Sequence, residues 1–114
     1  MAASTFTSMA LGKGTKIATA VAGAATLNKP SGKITSEALV TAAGATYALT
    51  LTNSEIAAAD IVQCSVALGT ATTGTPTITN VKPAAGSVVI GMQNIHASAA
   101  LNGTLVFAFQ VLKG

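Results

Sequence analysis

A strict alternation in residues 103–112 (GTLVFAFQVL) limits the possible folds of this chain more than any other stretch. Leu105, Phe107, Phe109 and Val111 share one parity, and two of the three phenylalanines of the sequence lie among them. Because successive side chains of an extended strand point to opposite faces, these four side chains project together. The pattern predicts the strand on which the hydrophobic core is built.

The same two-residue period recurs along the chain between turn residues. In residues 45–52 (ATYALTLT), Tyr47, Leu49 and Leu51 are predicted to face inward and the threonines outward, since threonine is favoured in strands and accepts solvent. A hairpin is predicted with the five-residue loop 82–86, and residues 53–60 are predicted to be a connection with room for one helical turn. Further strands are predicted at 25–27, 33–37, 61–68, 77–81 and 87–92.

Short strands separated by Gly, Pro and Asn turns predict an all-β fold, either an antiparallel β-sandwich or a jelly-roll-like barrel, with an extended N-terminal arm. No connection is long enough for a crossover helix, which disfavours a parallel α/β sheet. We assign residues 1–23 to the arm and residues 24–114 to the β-sandwich domain. The predicted core residues are Tyr47, Leu49, Leu51, Val66, Val88, Ile90, Leu105, Phe107 and Phe109.

Charged residues make up only 8% of the chain, against about 25% in ordinary soluble domains. The six basic residues are all lysine, and the three acids are Glu37, Glu55 and Asp60. One interpretation is a surface kept soluble by hydroxyl groups. The other, which we favour because exposed uncharged apolar surface is usually an interaction site, is a surface covered by other subunits. This predicts that contacts with other subunits complete the fold.

Residues 1–23 differ from the rest, because they are rich in small side chains and show no clean alternation. Lys13 and Lys16 before the apolar run 17–22 imitate a short signal peptide, but the run is weakly hydrophobic and begins well inside the chain. It is too short for a transmembrane helix, so no membrane partner is expected. We expect the arm to lie on a neighbouring subunit through Phe6, Met9, Leu11, Ile17 and Val21.

The chain is poor in residues that carry chemistry. With one histidine, one cysteine and three acids, it is predicted to have no catalytic residues, metal site or cofactor, since a metal needs several such ligands. A hydrolase would need His96 close to Asp60 and a serine. We predict instead that His96 orders the loop 94–102 or lies at a subunit contact, and that Cys64 is a buried structural thiol. Nucleic-acid binding is not expected, because arginine and lysine clusters are absent.

Several segments of the chain resemble a family of small virion structural proteins of tailed bacteriophages. The segments are GKITSEAL (32–39), AGATY (43–47), LTNS (51–54), PAAGSVV (83–89), NIHA (94–97) and ALNGTL (100–105).

The resemblance covers roughly residues 24–112 and includes no catalytic motif. It implies a β-sandwich structural protein, foremost a capsid decoration (cement) protein on the capsid surface. Such a protein is expected to form a homotrimer or homodimer, to bind the major capsid protein and to stabilise the head. The alternative is a tail, neck or fibre module of the virion with a structural or adhesive role.

Overall fold

The computed structural model describes residues 17–114, in which eight β-strands and no helix are present. The strands are β1 Ile17–Thr19, β2 Ala24–Thr26, β3 Ser31–Thr35, β4 Thr46–Thr52, β5 Ile61–Leu68, β6 Pro76–Ala84, β7 Ser87–Asn94 and β8 Leu105–Leu112. They form two four-stranded sheets, sheet A with the order β1-β3-β8-β5 and sheet B with the order β2-β4-β7-β6. The two sheets share one core, which confirms the predicted all-β sandwich. None of the described residues forms a helix that could cross a membrane.

The chain moves to the opposite sheet at every connection except the β6–β7 hairpin. As a result, most strands pair with strands that are distant in sequence. β8 lies between β3 and β5 and runs antiparallel to both, and β7 lies in the same way between β4 and β6. The short strands β1 and β2 add parallel pairs at one side of each sheet, against β3 and β4.

Alternation along each strand places one parity of side chains between the sheets. In β8 the odd-numbered residues Leu105, Phe107, Phe109 and Val111 are buried and the even-numbered residues are half-buried. The inward residues from sheet A meet those from sheet B, and burying each large apolar side chain stabilises the fold by about 1.5–3 kcal/mol. The other large buried side chains of the two sheets are Ile34, Val62, Leu49, Leu51, Val88, Ile90 and Met92.

Seven of the nine residues predicted for the core are buried, namely Leu49, Leu51, Val88, Ile90, Leu105, Phe107 and Phe109. Tyr47 and Val66 are half-buried and pack against that core. The Tyr47 ring stacks on Phe107 with a centroid distance of 6.2 Å, and its hydroxyl donates a hydrogen bond of 2.9 Å to Glu37 Oε1. Burial, together with that carboxylate, raises the pKa of the Tyr47 hydroxyl. The hydrogen bond therefore anchors the polar tip of a ring that otherwise belongs to the core.

The last seven residues of the predicted arm, 17–23, take part in the sandwich. β1 pairs with β3, and a two-residue turn at Ala22 and Gly23 then leads the chain from sheet A to sheet B. The φ angles of 52° and 78° at these residues have the sign that a type I′ turn requires. Val21 and Ala24 close the turn with a pair of backbone hydrogen bonds of 2.9 and 3.0 Å. Residues 1–16 of the predicted arm lie outside the described residues.

One local prediction is wrong. The β6–β7 loop has two residues, Ala85 and Gly86, because Lys82 and Pro83 pair with β7. Residues 53–60 are a connection, as predicted, and they form turns without a helical turn; the Asn53 side chain accepts a hydrogen bond from Glu55 N and closes one of these turns. Gly103 is required by close packing, because a Cβ atom there would lie 2.6 Å from Thr70 Oγ1 and 2.7 Å from Ala71 N.

The core assignment predicts different costs for one substitution at two leucines. Leu49 is fully buried on β4, whereas Leu68 at the end of β5 is 44% exposed. Leu49→Ala should lower the free energy of unfolding by about 2–5 kcal/mol, because a buried cavity is left behind. Leu68→Ala should cost less than about 1 kcal/mol. Urea unfolding of both variants measures the difference, and equal costs would contradict the assigned inward face of β4.

Candidate interaction surface

The charges of the sandwich are unevenly placed. Lys29, Glu55, Asp60 and Lys113 lie in the loops at one end, where β4 and β8 finish and β5 begins; we call this the charged end. Lys113 Nζ donates to Asp60 Oδ2 at 2.6 Å and to the backbone oxygen of Glu55 at 2.9 Å. These contacts fasten the residue after β8 to the loop before β5.

Asp60 accepts three hydrogen bonds, more than any other charged side chain of the described residues. The hydrogen bond from Lys113, assisted by the backbone N–H groups of Ala57 and Gly114, lowers the pKa of its carboxyl group. Because the carboxylate is the form that makes these bonds, the charged end is more stable with Asp60 ionised.

Each sheet also has an outer face with very little charge. On the outer face of sheet A the only charged side chain among the described strand residues is Lys33, and on that of sheet B it is Lys82. The outer face of sheet B carries Thr26, Thr46, Thr50, Thr52 and Thr77. Thr26 pairs with Thr52, and Thr46 and Thr77 flank Gln93 from its two sides. That face therefore offers hydroxyl groups to water, in keeping with the hydroxyl-rich surface considered above.

Opposite the charged end, three loops of the described chain contain no Asp, Glu, Lys or Arg: residues 38–45, 69–75 and 95–104, which we call the uncharged end. Glu37, just before the first of these loops, is half-buried, and its carboxylate accepts the hydrogen bond from the Tyr47 hydroxyl. Val40 is 85% exposed and Ile95 is 54% exposed in two of these loops. Exposed large aliphatic side chains in loops that contain no charged residue are typical of a surface that another protein covers.

Asn94, at the end of β7, holds the loops of the uncharged end together. Its side chain is fully buried and donates to the backbone oxygens of Thr41 and Ala99 at 3.1 and 2.9 Å. Its Oδ1 atom accepts from the backbone N–H groups of Thr75 and His96 at 2.9 and 3.1 Å. One amide thus uses both its donor and its acceptor to fix three separate loops.

Further side-chain hydrogen bonds complete this arrangement. Asn102 Oδ1 accepts from the backbone N–H groups of Thr72 and Thr73 at 2.6 and 3.1 Å. Thr70 and Thr104 exchange side-chain to backbone hydrogen bonds of 2.9 Å in both directions. No buried side-chain polar atom among the described residues lacks a partner. The uncharged end is therefore a fixed surface built from loops.

His96 belongs to the same network. Its Nδ1 atom accepts hydrogen bonds from the backbone N–H groups of Ser98 and Ala99 at 3.0 and 2.8 Å. The first of the two roles considered for His96, ordering its own loop, is therefore present in the structure. Asp60, its partner in the hydrolase hypothesis, lies at the charged end on the opposite side of the molecule.

The remaining predicted residues lie as follows. Ile17 on β1 is 72% exposed and Val21 is 74% exposed, while Phe6, Met9 and Leu11 lie outside the described residues. Cys64 is half-buried on β5, and burial raises the pKa of its thiol to about 11. Within residues 17–114, no cluster of three or more His, Cys, Asp or Glu residues is placed to hold a metal ion.

Sequence reasoning missed Val40, Ile95 and Asn94. A usable signal was present, because three separate segments without Asp, Glu, Lys or Arg flank the predicted strands. What joins these segments is the switching of the chain between sheets, which places loops from distant parts of the sequence at the same end.

No protein-family model matches the chain, and no curated protein sequence matches it significantly. Among solved structures, the crystal structure of the tailspike gp61 of Pseudomonas phage phi297 matches with a TM-score of 0.45 and 19% sequence identity. The match covers 72% of this chain but only 15% of the tailspike chain. The described residues thus define a small two-sheet β-sandwich with a fixed, uncharged end.

Asn94→Ala should loosen the uncharged end. The substitution leaves two backbone oxygens and two backbone N–H groups without their partner, and each buried group left unsatisfied costs roughly 1–3 kcal/mol. Asn28→Ala is the matched control, because the exposed Asn28 side chain accepts one hydrogen bond, from Ser54 N at the charged end, and its loss should cost less than about 1 kcal/mol. Urea unfolding, with hydrogen exchange at the amides of Thr75 and His96, measures both effects. Unchanged exchange in Asn94→Ala would contradict the assigned role.

The Asp60 contacts predict an acid-sensitive contribution to stability. Since the pKa of Asp60 is lowered in the folded state, its contribution is complete above the unfolded value of about 3.9 and is lost as the pH falls through the folded value. Asp60→Asn should therefore lower the melting temperature near neutral pH, and the difference from wild type should shrink towards pH ~2. A difference that is constant with pH would show that ionisation of Asp60 contributes nothing.

Proposed function

We propose that this chain is a structural protein of a tailed-bacteriophage virion, and specifically a capsid decoration protein that binds the major capsid protein through its uncharged end. The observation that carries the docking surface is the fixed loop arrangement around Asn94, which presents Val40 and Ile95 without Asp, Glu, Lys or Arg in the three loops. The virion assignment is supported by the sequence resemblance described above. No catalytic, cofactor, nucleic-acid or membrane role forms part of the proposal.

The physical case for docking rests on what an interface core requires. Charged residues are depleted from the centres of protein interfaces, because their desolvation is costly. Loops that are already fixed lose little conformational entropy on binding, so more of the contact energy appears as affinity. Covering Val40 and Ile95 completely would contribute about 1.5–3 kcal/mol for each side chain. The charged end, at the other side of the sandwich, would then face water.

The proposal also includes contacts made by the N-terminal arm and association of the chain with copies of itself. The described chain begins at β1, at the edge of sheet A, with Ile17 and Val21 exposed close by. Sixteen preceding residues, if extended, would reach about 50 Å. That reach is enough to contact a neighbouring subunit or a neighbouring capsomer. A decoration protein in contact with both would hold adjoining capsomers together without covalent bonds.

Two aspartate substitutions test docking through the uncharged end. Val40→Asp and Ile95→Asp each place a carboxylate where the proposed interface is apolar, at positions exposed enough to leave folding intact. Each should weaken binding to capsids assembled from the major capsid protein of the same virus by about tenfold or more. Occupancy on the capsids, measured by sedimentation and gel densitometry across a concentration series, gives the dissociation constant.

Ala58→Asp is the matched control, since Ala58 is exposed at the charged end and the substitution adds the same charge. It should bind like wild type. A chain that lacks residues 1–16 keeps every described strand and reports the contribution of the arm in the same assay. Equal occupancy of all variants would refute the docking surface. Gold labelling of intact particles on the tail, neck or fibres, with none on the head, would replace the decoration role by the alternative virion role.

A further inference from the structure

The four edge strands of the sandwich differ sharply in how they are protected against pairing. Sheet edges offer unpaired backbone groups to other chains, and proteins block them with short strands, lysine, proline or bulges. β1 and β2 have three residues each. β6 contains Pro76, Pro83 and Lys82 and has a register shift between Ile78 and Asn80. β5 is eight residues long and contains no charge, no proline and no register shift.

The hydrogen bonds of β8 show which backbone groups of β5 are free. Leu105 and Val111 direct their backbone groups towards β3, because Ser36 N donates to Leu105 O and Val111 N donates to Pro30 O, each at 2.8 Å. The even-numbered residues of β8 therefore bond to β5, and their register partners there are odd-numbered. The backbone N–H and C=O groups of the even-numbered residues of β5 point away from the sheet. Among the described residues, no strand pairs with them.

The side chains of these same residues remain incompletely covered. Val62, Cys64, Val66 and Leu68 have the inward parity of β5, yet only Val62 is buried. Cys64 and Val66 are half-buried, and Leu68 is 44% exposed. In β8, the neighbouring strand of the same sheet, every inward residue is buried. Cys64 and Val66 pack against the core and β6 of the other sheet lies close to β5, yet part of each inward side chain from Cys64 to Leu68 stays exposed at this edge.

We propose that this edge is a dimer interface, in which β5 pairs antiparallel with β5 of a second copy about a two-fold axis at Ser65. In this register Val62 lies opposite Leu68 of the partner and Cys64 lies opposite Val66 of the partner. The backbone N–H and C=O groups of Val62, Cys64, Val66 and Leu68, which point away from sheet A, then form hydrogen bonds with the second copy of β5. Sheet A continues through the interface as an eight-stranded sheet, and the incompletely covered side chains of each copy cover those of the other.

Three observations favour a second copy as the occupant. Two-fold pairing brings identical strands together, and β5 carries no charge that would repel its own counterpart. Apolar residues meet apolar residues on the inner side, while Ser65 meets Ser65 and Gln63 meets Ala67 on the outer side. Residues 62–68 of each strand pair with residues 62–68 of the other, so only Ile61 of each β5 lies outside the pairing. The proposal deepens the self-association that forms part of the proposed function, but this interface lies along the sandwich rather than at the uncharged end, so capsid binding and dimer formation can fail separately.

Disulfide trapping tests the register in the full-length chain. Ser65→Cys in a Cys64→Ser background places two thiols in a pair that is not hydrogen-bonded, with Cα atoms about 4.5 Å apart, a separation that a disulfide spans. Oxidation should give a covalent dimer about tenfold or more faster than in the control Gln63→Cys, Cys64→Ser. In that control the same register keeps the introduced thiols about 13 Å apart along the strands. Reducing and non-reducing gels, with samples taken over time, measure the rates.

A charge substitution gives an independent readout. Ser65→Lys brings two ammonium groups together at the two-fold axis and should abolish the concentration-dependent dimer seen by sedimentation velocity. Thr50→Lys adds the same charge on the outer face of sheet B, where Thr50 is exposed, and should leave the dimer unchanged.

Equal trapping rates in the two cysteine variants, or a wild-type chain that stays monomeric at all concentrations, would overturn the proposal. A dimer that survives Ser65→Lys but disappears when residues 1–16 are removed would assign the edge to the N-terminal segment instead. Protection of β5 amides from exchange only when the major capsid protein is present would assign the edge to that protein.

Discussion

The register of β8 between its two neighbours determines the rest of the molecule. Its odd-numbered side chains fill the space between the sheets, while its odd and even backbone groups bond to β3 and β5 respectively. A slip of one residue would turn Phe107 and Phe109 to the outer face and bring Ala108 and Gln110 into the core. The large loss of buried apolar area excludes that alternative. The free backbone groups on the edge of β5 are a direct consequence of the same register.

Local alternation was sufficient to predict the long strands, because a two-residue period is visible within a few residues. The predicted limits of the strand at 61–68 are those of β5, and the inward set of β4 follows the parity of Leu49 and Leu51. The order of strands in the sheets could not be predicted in this way. Ser36 and Leu105, whose hydrogen bond joins β3 to β8, are 69 residues apart, and no local pattern records that partnership.

Glycine and proline gave the least reliable local signals, since each can act for more than one reason. The sequence pattern predicts Pro83 in a loop, but it lies in an edge strand, where its missing N–H group prevents pairing with another chain without ending the strand. Gly103 is required by the close approach of Thr70 and Ala71, a contact between parts of the chain that are distant in sequence. Asn94 shows the same limitation, because its partners Thr41, Thr75 and Ala99 come together only in the folded chain.

A chain with six lysines and three acids has few means to keep a surface in water, so the positions of its charges are informative. Lys29, Glu55, Asp60 and Lys113 occupy one end, and Lys82 lies on the one long edge strand that also carries prolines. The uncharged end and the edge of β5 are left without such protection. They meet only near Leu68, where β5 finishes. A subunit could therefore bind a partner protein through one surface and a second copy of itself through the other, and occupation of one would not block the other.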